Sequence, residues 1–254
     1  IFAYQNGGAA VYLALYRKYR PRTFDDVISQ PEIVTTLKNQ IAEGQNAHAY
    51  LFTGSRGTGK TTCAKILAMA LNCMHPAGGN PCLECESCRE IANDETTDIV
   101  ELDAASNSGV SDVHELQDQL AYTPVSCKYR VYILDEVHML STAAFNALLK
   151  TLEEPPAHVI FVLCTTDPQK ILETILSRCQ RFDFRRISTE AMVSRLGAIC
   201  TAENVEFEGE ALELIAHRAE GGMRNALTSL EQLIAFGDGA VTMEVAERML
   251  GAVD

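Results

Sequence analysis

The run Gly54 to Thr61, GSRGTGKT, limits what this 254-residue chain can fold into more than any other stretch of it. It satisfies G-x-x-x-x-G-K-[ST] in the context that gives the pattern meaning: the apolar run Ala49 to Thr53 (AYLFT) precedes it, and a helix follows whose inner side carries Cys63, Ile66, Leu67, Ala70 and Leu71. Gly54, Gly57 and Gly59 let successive backbone N–H groups turn toward a phosphate, with Ser55, Thr58 and Thr62 in or beside the loop. The helix N-terminus adds favourable potential for an anion. Lys60 reaches the β- and γ-phosphates as a point charge, and the Thr61 hydroxyl is placed to ligate Mg²⁺. A glycine-rich turn with an incidental lysine is the bland alternative; a strand before and a helix after argue against it.

A strand, a phosphate loop and a helix predict an α/β sheet, and the rest of the chain supplies the strands. Apolar runs recur at Asp98 to Leu102, Arg130 to Leu134 and Val159 to Cys164, with a weaker one at Gln180 to Phe184. Helical segments lie between them, so the sheet is parallel and covered on both faces. One helix begins at Pro31, buries Ile33, Val34, Leu37 and Ile41, and ends before Gly44; another is capped by Ser141, buries Phe145, Leu148, Leu149 and Leu152, and stops at Pro155-Pro156. The third run delivers Asp135 and Glu136 to its carboxyl end, where parallel sheets hold their ligands. Asp135 is placed to hold a metal and Glu136 to orient and deprotonate a water. Beyond Phe184 the strands are expected to stop. Helical stripes follow at Met192/Leu196/Ile199, Leu212/Ile215/Ala216/Ala219 and Leu227/Leu230/Ile234.

Hydrophobic residues at 47% and charged residues at 22% exclude a disordered or coiled-coil chain. The net charge of -13 argues against a protein that holds nucleic acid by bulk positive charge. That charge is uneven: residues 188–254 carry 4 basic and 12 acidic side chains, net -8. No apolar run approaches a membrane span, and residues 1–10 show no secretory signal; they read as a tag or upstream extension. The chain is therefore expected to be cytoplasmic. Nine cysteines fit a reducing compartment if most are reduced or metal-bound. Cys73 with Cys82, Cys85 and Cys88 (CLECESC) can close a four-thiolate sphere around a structural zinc. An iron–sulfur cluster and a metal-free cluster of reduced thiols remain open on spacing alone. His138 reads as structural.

The succession YRKYRPRTFDDVISQ, GSRGTGKT, ILDEVHMLS, LLKTLEEPP, TTDPQKI, ILSRC and GGMRNAL resembles the ATPase portion of bacterial DNA polymerase III clamp-loader motor subunits, the gamma/tau family, from about Val11 to Asp254. The resemblance implies an AAA+ P-loop domain with a five-stranded parallel sheet over residues 11–187, a zinc module inserted at about 73–88, and a small all-α lid over 188–254. It implies ATP as the nucleotide, with Mg²⁺ held by Thr61 and Asp135 and structural Zn²⁺ on the four cysteines. Thr166, ahead of Thr165, matches the sensor of the attacking water or γ-phosphate. Arg178 of Ser177-Arg178-Cys179 matches the arginine finger that enters a neighbouring subunit's site, and Arg224 the second sensor on the lid. The position after Arg224, often Asp in the family, is Asn225 here, which removes one local carboxylate partner. Tyr16, Arg17, Arg20 and Pro21, with Val27 and Ile28, match the segment enclosing adenine and ribose; a basic surface strap is the plainer alternative.

By the same resemblance the chain is an ATPase within the DNA polymerase III holoenzyme, a nucleotidyltransferase complex. Its partners are the other subunits of a hetero-pentameric loader, the sliding clamp and primer-template DNA, with ATP hydrolysis coupled to clamp loading. The segment 105–110 is expected to set a helix N-terminus against a DNA phosphate, or simply to cap that helix. Two rivals share the nucleotide motifs: another AAA+ DNA motor of the branch-migration type, and a non-hydrolysing ATP-bound scaffold. The chain stops after the lid, where the family continues into a collar, so alone it is expected to be monomeric or weakly self-associating.

Overall fold

The structure is a computed structural model that describes residues 3–6 and 9–251, with side chains from Leu13 to Gly251. Five strands, Ala49–Thr53, Ile99–Asp103, Arg130–Asp135, Val159–Thr165 and Gln180–Asp183, form one parallel sheet. Across it the order is 99–103, 130–135, 159–165, 49–53, 180–183. The register sets Leu102 beside Leu134, Leu134 beside Leu163 and Leu163 beside Leu51, so equivalent strand ends lie level. Alternation sends Tyr50, Phe52, Ile133, Val162 and Phe182 to one face, packed with Ile66 and Leu67 of the Lys60–Asn72 helix. Leu51, Tyr132, Leu134, Phe161 and Leu163 go to the other, against Leu116, Phe145, Leu148 and Leu152. Both faces are dry, which is why these strands read as unbroken apolar runs.

The helices start and stop where their end chemistry requires. Pro31–Glu43 closes on Gly44 at φ 68°. Thr142–Glu153 begins at Ser141, whose Oγ accepts the Ala144 N–H. The sheet strand expected at 98–102 runs one residue later, Ile99–Asp103; Asp98 stands just before it, with its carbonyl accepting the Val131 N–H at 2.9 Å. Asp98 is fully buried, and its carboxylate accepts the N–H groups of Val125 (2.9 Å), Ser126 (2.8 Å) and Cys127 (2.9 Å). Burial alone would raise its pKa, but the three donors, with Arg130 nearby, hold it below the ordinary carboxylate value. Asp98→Ala orphans these donors and should cost roughly 3 kcal/mol in urea unfolding at neutral pH. Because the folded pKa is the lower one, the contribution is whole above an unfolded value of about 3.9 and is lost as pH falls through the folded value. The gap between wild type and Asp98→Ala should therefore narrow in acid.

Packing divides the chain into two units. Pro21–Gly54 and Gly59–Phe184 make the sheet unit, while Ser55–Thr58 and the described residues up to Arg20 and from Arg185 make the other. In the second, the helices Thr189–Ala202, Gly209–Arg218 and Met223–Phe236 bury the three expected stripes. A further helix, Met243–Leu250, is capped by Thr242. Glu206–Phe207 and Ala240–Val241 pair as a short parallel ladder, which corrects the expectation that strands end at Phe184. Two residues per strand are too few to show a period in sequence. Ala3–Asn6 and Ala9–Tyr12 pair as an antiparallel hairpin where no pattern was legible; of the segment read as a tag or extension, positions 1, 2, 7 and 8 lie outside the described residues.

Candidate nucleotide site

In the sheet unit, the site starts where the Ala49–Thr53 strand turns into Gly54 at φ 144°. A Cβ there would lie 2.5 Å from the Phe184 carbonyl oxygen, so only glycine fits. Gly59 precedes the Lys60–Asn72 helix and accepts the Cys63 N–H at 2.8 Å. Lys60 is 6% exposed and its ammonium donates to the Gly54 carbonyl at 2.8 Å, so a buried charge is held at the loop mouth. One residue on, the Thr61 hydroxyl donates to Asp135 Oδ2 at 2.7 Å, joining helix start to strand end. Thr62 is half-buried in the same turn.

The carboxylate pair is held in two different ways. Asp135 Oδ1 accepts the Glu136 N–H at 3.0 Å, and Glu136 stands at φ 46°, a left-handed conformation that turns its side chain off the strand direction. Glu136 Oε2 accepts the Thr166 hydroxyl at 2.8 Å and the Thr166 N–H at 3.2 Å. His138 Nδ1 lies 3.4 Å from the same oxygen and 3.0 Å from Thr165 Oγ1. Thr165 is fully buried and also accepts the Asp167 N–H, so Thr166 is the threonine bonded to Glu136. Sequence reasoning set His138 aside as structural; its neighbours in the chain gave no sign of this position. Val27 closes the one-turn helix Phe24–Asp26 and packs on the core, with Ile28 half-buried after it and Pro21 before it.

Arg178 is partly exposed, and its guanidinium donates to Glu153 Oε1 at 2.6 Å and to the Thr174 carbonyl at 2.6 Å. Both partners belong to the same unit. Glu153 was legible only as part of LEEPP, without a role. At 105–110, the Gly109 N–H donates to Asp112 Oδ2 at 2.9 Å and the Ala105 N–H to Asp103 Oδ1 at 2.9 Å, so carboxylates close this turn and start the Val110–Leu120 helix.

In the other unit, Thr58 is buried and donates from its hydroxyl to the Ser55 carbonyl at 2.9 Å, while the Gly57 carbonyl accepts the Met223 N–H at 3.0 Å. Arg224, in the first turn of Met223–Phe236, sets its guanidinium 5.8 Å from the Tyr16 ring centroid, and Arg17 approaches the same ring at 5.8 Å. Arg20 follows in the same unit. The Lys18 ammonium is 2.5 Å from Glu203, which also accepts the Tyr19 hydroxyl, so the Leu15–Lys18 helix is pinned to Thr189–Ala202.

The cysteine cluster fits a tetrahedral metal. The four sulfur atoms of Cys73, Cys82, Cys85 and Cys88 lie within 4.8 Å of one another, against the ~3.8 Å edge of a tetrathiolate zinc with bonds of about 2.3 Å. Cys73 Sγ accepts the Cys82 N–H at 3.2 Å, and Cys82 Sγ accepts the Cys85 N–H at 3.3 Å. Backbone donors from Glu84 and Cys85 bring the Cys82 thiol down to about 6, whereas burial raises Cys73 and Cys88. Among the described residues no other group of three or more His, Cys, Asp or Glu side chains is placed to hold a metal.

The family model described as DNA polymerase III, delta subunit, matches residues 29–188, and that of the DNA polymerase III clamp loader subunit ATPase lid domain matches residues 191–239. The chain belongs to the DNA polymerase III clamp-loader family. This clamp-loader chain is 52% identical over 242 residues to DNA polymerase III subunit tau of Bacillus subtilis (strain 168), covering 95% of this chain and 43% of that protein. It is 47% identical over 243 residues to DNA polymerase III subunit tau of Escherichia coli (strain K12), covering 96% and 38%. The chain thus spans about two-fifths of the length of these curated relatives. Among solved structures it resembles the Thermotoga maritima RuvB Holliday junction branch migration motor, with a TM-score of 0.67 at 20% identity over 91% of this chain and 72% of that one. At that identity the likeness establishes the AAA+ fold. Among the described residues of the clamp-loader chain, no helix is long and apolar enough to cross a membrane.

Proposed function

We propose that this chain is the ATP-binding and hydrolysing motor portion of a replicative clamp loader, coupling hydrolysis to placement of a sliding clamp on primer-template DNA. The observation that carries the proposal is the hydrogen-bonded line Thr61–Asp135–Glu136–Thr166, which starts one residue after the buried Lys60, whose ammonium is held on the Gly54 carbonyl. Lys60 and the loop N–H groups bind the β- and γ-phosphates, and Thr61 and Asp135 hold Mg²⁺. Magnesium, when bound, neutralises charge on the phosphate oxygens. Glu136 orients the attacking water and takes its proton, and Thr166 holds Glu136 for that task. Arg178 of one subunit stabilises the charge that develops in its neighbour's site, and Arg224 reports the γ-phosphate to the lid. The cluster Cys73, Cys82, Cys85 and Cys88 holds a structural zinc, since four thiolates leave no open position.

Intact Lys60, Thr61, Asp135 and Glu136 favour hydrolysis over a scaffold that keeps ATP. Nucleotidyl transfer is not assigned to this chain. Contacts to DNA are to phosphates, sequence-independent and salt-sensitive. The deciding experiment is phosphate release by the longer chain assembled with its loader partners, with and without sliding clamp and primed DNA. Stimulation by both together is expected; turnover indifferent to both overturns the loader assignment.

A further inference from the structure

The middle of the phosphate loop, Ser55–Thr58, lies in the same unit as the Met223–Phe236 helix, and the two meet backbone to backbone. Met223 opens that helix, so its N–H has no acceptor within it. It donates instead to the Gly57 carbonyl at 3.0 Å. Gly57 stands at φ 80°, and a Cβ there would lie 3.1 Å from Gly222 Cα. From the other side, a Cβ on Gly222 would lie 2.8 Å from the Arg56 carbonyl oxygen, a backbone atom that cannot swing away. Glycine at both positions lets loop and turn approach this closely.

Behind the contact the turn is fixed on its own side. The Gly222 N–H donates to the Ala219 carbonyl at 2.9 Å, and the Gly221 carbonyl accepts the Ile187 N–H at 3.2 Å. A trans peptide sets its C=O and N–H on opposite sides, so a Gly57 carbonyl held on Met223 turns the Thr58 N–H away from the helix. Thr58 is buried, and among the described residues its N–H has no acceptor. A buried donor left over in a glycine-rich loop points to an anion as its partner.

We infer that Gly222, together with the Met223 N–H, is a positioning residue for the phosphate loop: by holding the Gly57 carbonyl it sets the Thr58 N–H for a phosphate oxygen, in diphosphates and triphosphates alike. The inference rests on the nucleotide reading above. It gives the glycine pair of GGMRNAL a task separate from the γ-phosphate contact assigned to Arg224.

The test uses Gly222→Ala in this chain, with melting temperature checked against wild type. Gly222 is at φ -102°, which alanine adopts without strain, so the new Cβ acts chiefly through the Arg56 carbonyl. In the nucleotide-free protein, amide hydrogen exchange at Met223 should rise ~10-fold or more. ATP, ADP and inorganic tripolyphosphate should each bind about tenfold more weakly, by one common factor. Arg224→Ala, by contrast, should weaken ATP more than ADP. Met223→Pro decides the matter if Gly222→Ala does not fold or leaves that exchange unchanged. Proline suits the first helical position, and Gly222 at ψ 106° already has the extended form that precedes it, so the bond to Gly57 is removed and the helix kept. Measured against Met223→Ala, which keeps the N–H, Met223→Pro should bind all three ligands about tenfold more weakly. Affinities within twofold of the reference, or a loss that spares ADP, overturn the role of Gly222 alone. A wild-type chain that binds none of the three overturns the nucleotide reading itself.

Discussion

Arg178→Ala should lower ATP turnover by the complete, clamp- and DNA-stimulated loader by ~10³-fold or more, while ATP affinity of the isolated chain stays within about twofold of wild type. The split follows from where the group acts. Charge builds on the transferring phosphoryl oxygens only in the transition state, so a guanidinium brought to them from a neighbouring subunit accelerates the step without strengthening ground-state binding. In this chain Arg178 is paired with Glu153 at 2.6 Å, with both side chains partly exposed. An ion pair at such a site is worth only about 0–1 kcal/mol, so exchanging it for a phosphate is cheap. Arg178→Lys should not restore turnover, because an ammonium lacks the planar fork. Steady-state phosphate release with mutant chains in otherwise native assemblies measures this; turnover within threefold of wild type would show that Arg178 belongs to its own domain's surface.

Glu136→Gln should reduce turnover in the same assembly by about 10³-fold, again with ATP affinity nearly unchanged. The amide keeps the size of the carboxylate and can still accept from Thr166, whose N–H and hydroxyl now meet Glu136 Oε2 at 3.2 and 2.8 Å. What it cannot do is take a proton from water. Thr61 and Asp135 are untouched, so metal and phosphate binding persist and the variant should collect as an ATP-bound assembly. Equal turnover by mutant and wild type would sink the assigned mechanism. Both results together would separate a proton acceptor supplied within a subunit from a charge supplied between subunits.

Legibility in the sequence tracked how local the responsible physics is. The phosphate loop, its helix and the buried strands were readable because glycine placement, apolar runs and caps act over a few residues. Ser141, Pro31 and Gly44 marked helix ends for the same reason. The task of the Asp98 carboxylate was not legible because its partners, Val125 to Cys127, lie more than twenty-five residues on. The pair Glu206–Phe207 and Ala240–Val241 was missed because neither half carries a pattern alone.

The sequence by itself determined that this chain builds a nucleotide-type parallel sheet with a helical unit after it, since a phosphate loop between strand and helix leaves few other folds. It also named Cys82, Cys85 and Cys88, because C-x₂-C-x₂-C spacing is a local geometric fact, and offered Cys73 as a fourth thiol from the end of the phosphate-loop helix. Only the tertiary structure decided which threonine bonds Glu136, which acid holds Arg178, and which helix N–H holds the Gly57 carbonyl. Each of those choices is a hydrogen bond closed across distant segments, and its partner is set by how the elements pack, which composition and spacing do not record.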